Sequence, residues 1–107
     1  MVEVTIVYWR DIPAQVIAGR GRRAGKRQLS ERFERAIDRC AMKVGARGTD
    51  AYLEEWRRAA PRQAEGTPAE VAEREAARLE QEYGQARLAA LIEGDGWADG
   101  PERSGRE

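Results

Sequence analysis

Between Val2 and Trp9 the apolar side chains first alternate with Glu3 and Thr5 and then occupy both sides of the chain. Val2, Val4, Ile6 and Tyr8 share one face of an extended strand, and Val7 and Trp9 share the other. Such a segment starts half-exposed and ends buried on both sides, so it must run into the interior of a sheet. Asp11-Ile12-Pro13 follows and predicts a turn, since proline disfavours helix in the residue before it and cannot donate to a ladder. Ala14 to Gly19, with Val16 and Ile17, reads as a second strand paired with the first as a hairpin.

The remaining elements follow from periodicity and caps. Ser30 is placed to cap a helix whose apolar positions are Phe33, Ala36, Ile37, Cys40, Ala41 and Val44, with Gly45 to end it. Asp50 to Arg58 is ambiguous: Tyr52, Glu54 and Trp56 alternate as in a strand, while Leu53 and Trp56 suit a helical turn. A third strand is the preferred reading, because a lone two-stranded hairpin is marginal. Thr67-Pro68-Ala69-Glu70 is a capping box with proline at the first helical position. It opens a long helix with a seam at Ala72, Ala76, Leu79, Tyr83, Ala86 and Ala90, which Gly84 can bend. Its acids, Glu70, Glu73, Glu75, Glu80 and Glu82, are interleaved with Arg74 and Arg78 as solvated helix faces are.

A chain of 107 residues makes one domain with a thin core. The expected domain spans residues 1–93, an α+β two-layer sandwich of order β-β-α-β-α with two helices packed on a small sheet. Residues 94–107 are polar and expected to form a disordered tail. No apolar stretch approaches the roughly 20 residues that span a bilayer, and no basic start precedes an apolar run, so a cytoplasmic location is expected. The single cysteine excludes an internal disulfide and fits a reducing compartment.

Several chemistries are excluded outright. Without histidine and with one cysteine, the chain cannot build a zinc site from the usual nitrogen and sulfur ligands, a Ser-His-Asp triad or a Cys-His pair. No phosphate-cradling glycine motif is present: Gly19-Arg20-Gly21-Arg22 lacks the rest of either pattern. No catalytic residue, metal ligand or cofactor is assigned. Asp11, beside Arg10, is the best placed carboxylate, yet an Asp next to an Arg is more often a structural ion pair than a catalytic acid.

Net charge is zero but unevenly spread, with residues 1–58 positive and residues 59–107 negative. Arg20, Arg22, Arg23, Lys26 and Arg27 lead into the N-terminus of the Ser30 helix, where positive charge opposes the helix dipole. That arrangement suits an anion-binding loop for a phosphate-bearing ligand, a nucleic acid or an acidic protein surface. It equally suits a solvated basic loop, or one neutralised by the acidic helix of the same chain. No aromatics are interleaved with these arginines to stack bases. Trp9 and Trp56 are expected in the core. Trp97, in Gly94-Asp95-Gly96-Trp97, either folds back on the domain or stands exposed as an anchor. Cys40 is expected to be a small buried hydrophobe.

Tyr8-Trp9-Arg10-Asp11-Ile12-Pro13-Ala14-Gln15-Val16, the basic stretch after it and Gln28-Leu29-Ser30-Glu31-Arg32-Phe33-Glu34 together resemble a small bacterial domain family called virulence factor. The resemblance covers about residues 4 to 92 and is strongest at Tyr8 to Val16 and Gln28 to Ala41. It implies no settled activity. It also implies an association with corrinoid- and folate-dependent one-carbon metabolism, in which this chain would be an accessory subunit of a methyl-transfer system. The reading adopted from the residues is a non-enzymatic binding or accessory module. Tyr8, Trp9, Arg10, Asp11 and Pro13, with the basic segment, would engage a protein or anionic partner.

Overall fold

The structure, a computed structural model, describes residues 1–99. β1 (Val2–Trp9) and β2 (Ile12–Ala18) form a hairpin at the centre of a five-stranded antiparallel sheet. β3 (Gly25–Gln28) extends the sheet beyond β2. Two three-residue strands share the other edge of β1: β4 (Trp56–Arg58) pairs with Val7–Trp9 and β5 (Arg62–Ala64) with Val2–Val4. The helices are α1 (Glu31–Lys43), the short α2 (Asp50–Glu54), α3 (Pro68–Glu82) and α4 (Gln85–Glu93). The α+β architecture is the expected one. The order along the chain is richer, β-β-β-α-α-β-β-α-α.

The alternation of β1 places its faces as its residues dictate. Val4 and Ile6 stand opposite Ala18 and Val16, and all four are buried. α3 covers this face: its Glu75 accepts from Arg62, the cross-strand partner of Val4, and its Pro68 abuts Gly25, the partner of Ala18. A Cβ on Gly25 would stand 2.5 Å from the Pro68 carbonyl oxygen, so only glycine allows the helix this close to the strand. On the opposite face Trp9 lies between Ile12 and Trp56, with no exposed surface and its indole N–H donating to the Tyr52 carbonyl at 2.9 Å. Full burial of such aromatic and aliphatic side chains stabilises the fold by about 1.5–3 kcal/mol each.

The turn is tighter than the sequence suggests. It comprises Arg10 and Asp11 alone, and Ile12 and Pro13 already belong to β2. The proline is accommodated because the register shifts beside it: Val7 pairs with Gln15 but Tyr8 with Pro13, leaving Ala14 as the extra residue of a bulge.

Three further expectations are corrected. Asp50–Glu54 is helical and only Trp56–Arg58 is strand, so both patterns read in that segment occur in succession. The single long helix is two: Tyr83 and Gly84 leave helical geometry, and α4 buries Leu88 and Leu91 while Ala86 and Ala90 are exposed. Nor is the acid face of α3 wholly solvated. Glu75 is 6 % exposed and held by Arg62 and Arg78, a buried carboxylate that persists because both partners neutralise it. α1 packs on β2 and α4, and its stripe of Phe33, Ala36, Ile37, Cys40 and Ala41 is buried as its spacing requires.

Residues 94–99, assigned above to a polar tail, carry the chain back over the hairpin turn. The rest of that expected tail, residues 100–107, lies outside the described residues. No helix among the described residues is long and apolar enough to cross a membrane.

Candidate functional site

The hairpin tip is organised by Arg10, which sits at φ 54 and is only 9 % exposed. Its guanidinium lies 5.2 Å from the ring centroids of both Trp9 and Trp97. Its Nε donates to Glu55 Oε2 at 2.7 Å and its Nη1 to the Asp95 carbonyl at 2.5 Å. A charge buried this deeply is tolerated because rings, carboxylate and carbonyl replace its water. Gly96 makes the approach possible: at φ +90, a Cβ there would lie 2.9 Å from Arg10 Cδ and 3.2 Å from Cys40 Sγ. Burial pushes the Cys40 thiol up, as for the small buried hydrophobe expected.

Asp11 ties three segments together. Its backbone N–H donates to the Gly96 carbonyl at 2.8 Å, its Oδ2 accepts from the Ala98 N–H at 2.8 Å and its Oδ1 from Arg57 Nη2 at 2.8 Å. Arg57 also donates from Nε to the Arg10 carbonyl at 3.0 Å and stacks 4.6 Å from the Tyr8 ring centroid. Arg10 and Asp11 thus fix the turn electrostatically, and Trp97 folds back on the domain.

Beside this staple opens a cleft of about 480 Å³, within the range that holds small ligands. Tyr8 and Arg57 rise from the sheet, Tyr83 and Arg87 from the α3–α4 junction, and Asp11 and Trp97 from the staple. The break at Tyr83 and Gly84 matters here, because both Tyr83 at the junction and Arg87, Ala90 and Leu91 of α4 line the cleft. Arg87 stacks 4.0 Å from the Tyr83 ring centroid, donates to the Glu82 carbonyl at 3.3 Å, and has no ion pair among the described residues. Burial, then the neighbouring Tyr83, pushes the Tyr8 phenol above its ordinary value of 10.0, against the opposing pull of Arg57 and Arg78. The phenol is therefore a neutral hydrogen-bonding group at physiological pH. Two guanidiniums braced on rings, one carboxylate and two phenols can hold an anionic, flat or apolar-bodied group.

The structure divides the residues singled out in the sequence. Tyr8 and Asp11 reach the cleft, whereas Trp9, Arg10 and Pro13 are buried and build its support. The basic segment lies elsewhere, its Gly25 against the N-terminus of α3 while Tyr83 caps the C-terminus, about 20 Å away along the helix axis. It is not one open loop: Gly21–Arg23 form a 3-10 turn, and Lys26 and Arg27 belong to β3. Arg20 donates twice to Glu3 at 3.0 Å, and Arg27 stands 3.8 Å from Glu73, while Arg22, Arg23 and Lys26 are exposed and make no ion pair among the described residues. The α1 N-terminus beyond them is already occupied, because the Glu80 carboxylate bonds Ser30 there.

Arg57, Tyr83 and Arg87 were not singled out as site residues by the sequence. Arg57 becomes visible only when β4 sets it opposite Tyr8, and Arg87 only when the helix breaks. The family model described as Virulence factor matches residues 7–92. No curated protein and no solved structure matches the chain.

Proposed function

The chain belongs to the virulence factor family, and from that premise we propose that it is a binding module whose cleft takes an anionic group of a partner between Arg57 and Arg87. The family name denotes a phenotype, so the biochemistry must come from the site. One observation carries the reading: Arg87 stands on the wall of a 480 Å³ cleft, braced by Tyr83 and without a carboxylate partner among the described residues. Arg57 lines the same space, its guanidinium held in place through Nε and Nη2 by the Arg10 carbonyl and Asp11. Guanidiniums held in this way lose little freedom on binding a carboxylate or phosphate. Tyr8 and Trp97 add surface for an apolar or planar body beside the anion.

The test uses inorganic phosphate and a glutamate-rich peptide as probes, followed through Trp97 fluorescence. Arg87→Gln, at an exposed position, is expected to weaken binding of at least one probe while leaving the far-ultraviolet CD spectrum and thermal midpoint unchanged. Equal binding by variant and parent overturns the assignment of the cleft.

A further inference from the structure

On the opposite face of the sheet, the one that carries Trp9, a second cavity of about 270 Å³ opens between α1, α2 and the start of β4. Its chemistry is the inverse of the first. Tyr52 and Trp56 form a right-angled corner, their ring planes at 86° and centroids 6.1 Å apart. Leu29 and Ile37 are buried and give it an apolar floor, while Glu34 and Asp38, one turn apart on α1, stand at its mouth. Neither acid is in an ion pair among the described residues. The arginines of the same helix are turned away, since Arg35 and Arg39 border the groove between α1 and α4 instead.

The negative field of the cavity is felt by its own walls. Burial first, then Asp38 and to a lesser degree Glu34, hold the Tyr52 phenol above its ordinary value, against the Trp56 indole and Arg47. A hard metal ion is poorly served here, because it demands six or more oxygens and the cavity offers two carboxylates among rings. An organic cation gains from both: ring faces attract its diffuse charge and the acids complete the pairing. The volume falls below the roughly 300 Å³ at which pockets for whole small molecules begin, so it suits one head group.

We propose that this cavity receives an alkylammonium head group, seated in the Tyr52–Trp56 corner and paired with Glu34 and Asp38. The group can come from the lysine side chain of a partner or from a free methylated amine. The assignment is independent of the anion cleft, which lies on the other face.

The indole N–H resonance of Trp56 in the full chain reports the event, with those of Trp9 and Trp97 as controls for the fold. Tetramethylammonium chloride is expected to shift it saturably, whereas sodium chloride at equal ionic strength and neopentyl alcohol, a neutral group of the same shape, are not. The double variant Glu34→Gln, Asp38→Asn should weaken tetramethylammonium binding by about tenfold or more. Should that variant fail to fold, Glu34→Gln alone, at an exposed position, carries the comparison and should weaken binding in the same direction. A capped lysine tripeptide run beside tetramethylammonium separates the two sources, the tighter ligand identifying the one used. A shift of equal size with the neutral alcohol would reduce the cavity to an apolar hollow. That outcome, the absence of any saturable shift, or carboxamide variants that titrate like the parent would each overturn the proposal.

Discussion

Glu80 takes both hydrogen-bond donors of Ser30, accepting from its backbone N–H at 2.6 Å and from its hydroxyl at 2.8 Å. An acid of α3 thereby caps α1 across a sequence separation of 50 residues, and Ser30 itself caps no N–H of its own helix. The helix end that follows the basic segment is thus taken by an internal anion.

Replacing that acid should therefore uncap α1. Glu80→Ala is expected to lower stability by about 1–2 kcal/mol, the range for a lost N-cap, and to remove the ion pair that Glu80 makes with Arg32 at 2.9 Å. Urea denaturation measures the loss. Inorganic phosphate should restore part of it in the variant and do little for the parent, and a variant that melts like the parent shows the contact to be incidental.

Trp9 carries a larger share. Trp9→Ala should cost on the order of 3–5 kcal/mol, as truncation of a fully buried aromatic does. Trp9→Phe keeps much of the volume but strands the Tyr52 carbonyl, an expected loss of about 1–3 kcal/mol. If Trp9→Ala retained parental stability and lost only partner binding, Trp9 would be a contact residue.

The tyrosines predict an alkaline limit. Tyr8 and Tyr52 are both held neutral mainly by burial, so their folded values lie above the ordinary 10.0. Their contribution to stability is complete below 10.0 and is lost as pH rises through the folded values. Denaturation midpoints measured on either side of pH 10.0 should fall on the alkaline side, and Tyr8→Phe should make that fall shallower. An unchanged slope would place the Tyr8 phenol in water.

Arg22, Arg23 and Lys26 should be dispensable for folding, since none makes an ion pair among the described residues. Their joint replacement by Ser is expected to change stability by less than about 0.5 kcal/mol. If the segment recruits a polyanion, the parent should bind one with steep salt dependence and the variant should not. Parent and variant indifferent to polyanions would make this surface a solvated one.

Elements that carry their own instructions were legible in the sequence. β1 announced itself by alternation, α1 by its stripe, and α3 by Thr67 and Glu70, which cap each other as the motif requires. The short strands were not legible, because Trp56–Arg58 and Arg62–Ala64 are strands only by virtue of pairing with β1. The site was legible in half. Tyr8 and Asp11 lie in a recognisable signature, but Arg57 and Arg87 join them through tertiary geometry alone.

The staple at the hairpin tip has a consequence for biosynthesis. Arg10 is made well before the groups that neutralise and cover it, which are Glu55, Asp95 and Trp97. Until the chain has been synthesised past Trp97, the N-terminal hairpin carries a charge for which burial is unfavourable. The hairpin tip is therefore secured only after Asp95 and Trp97 have left the ribosome, which couples β1 and β2 to a segment some 85 residues further along the chain.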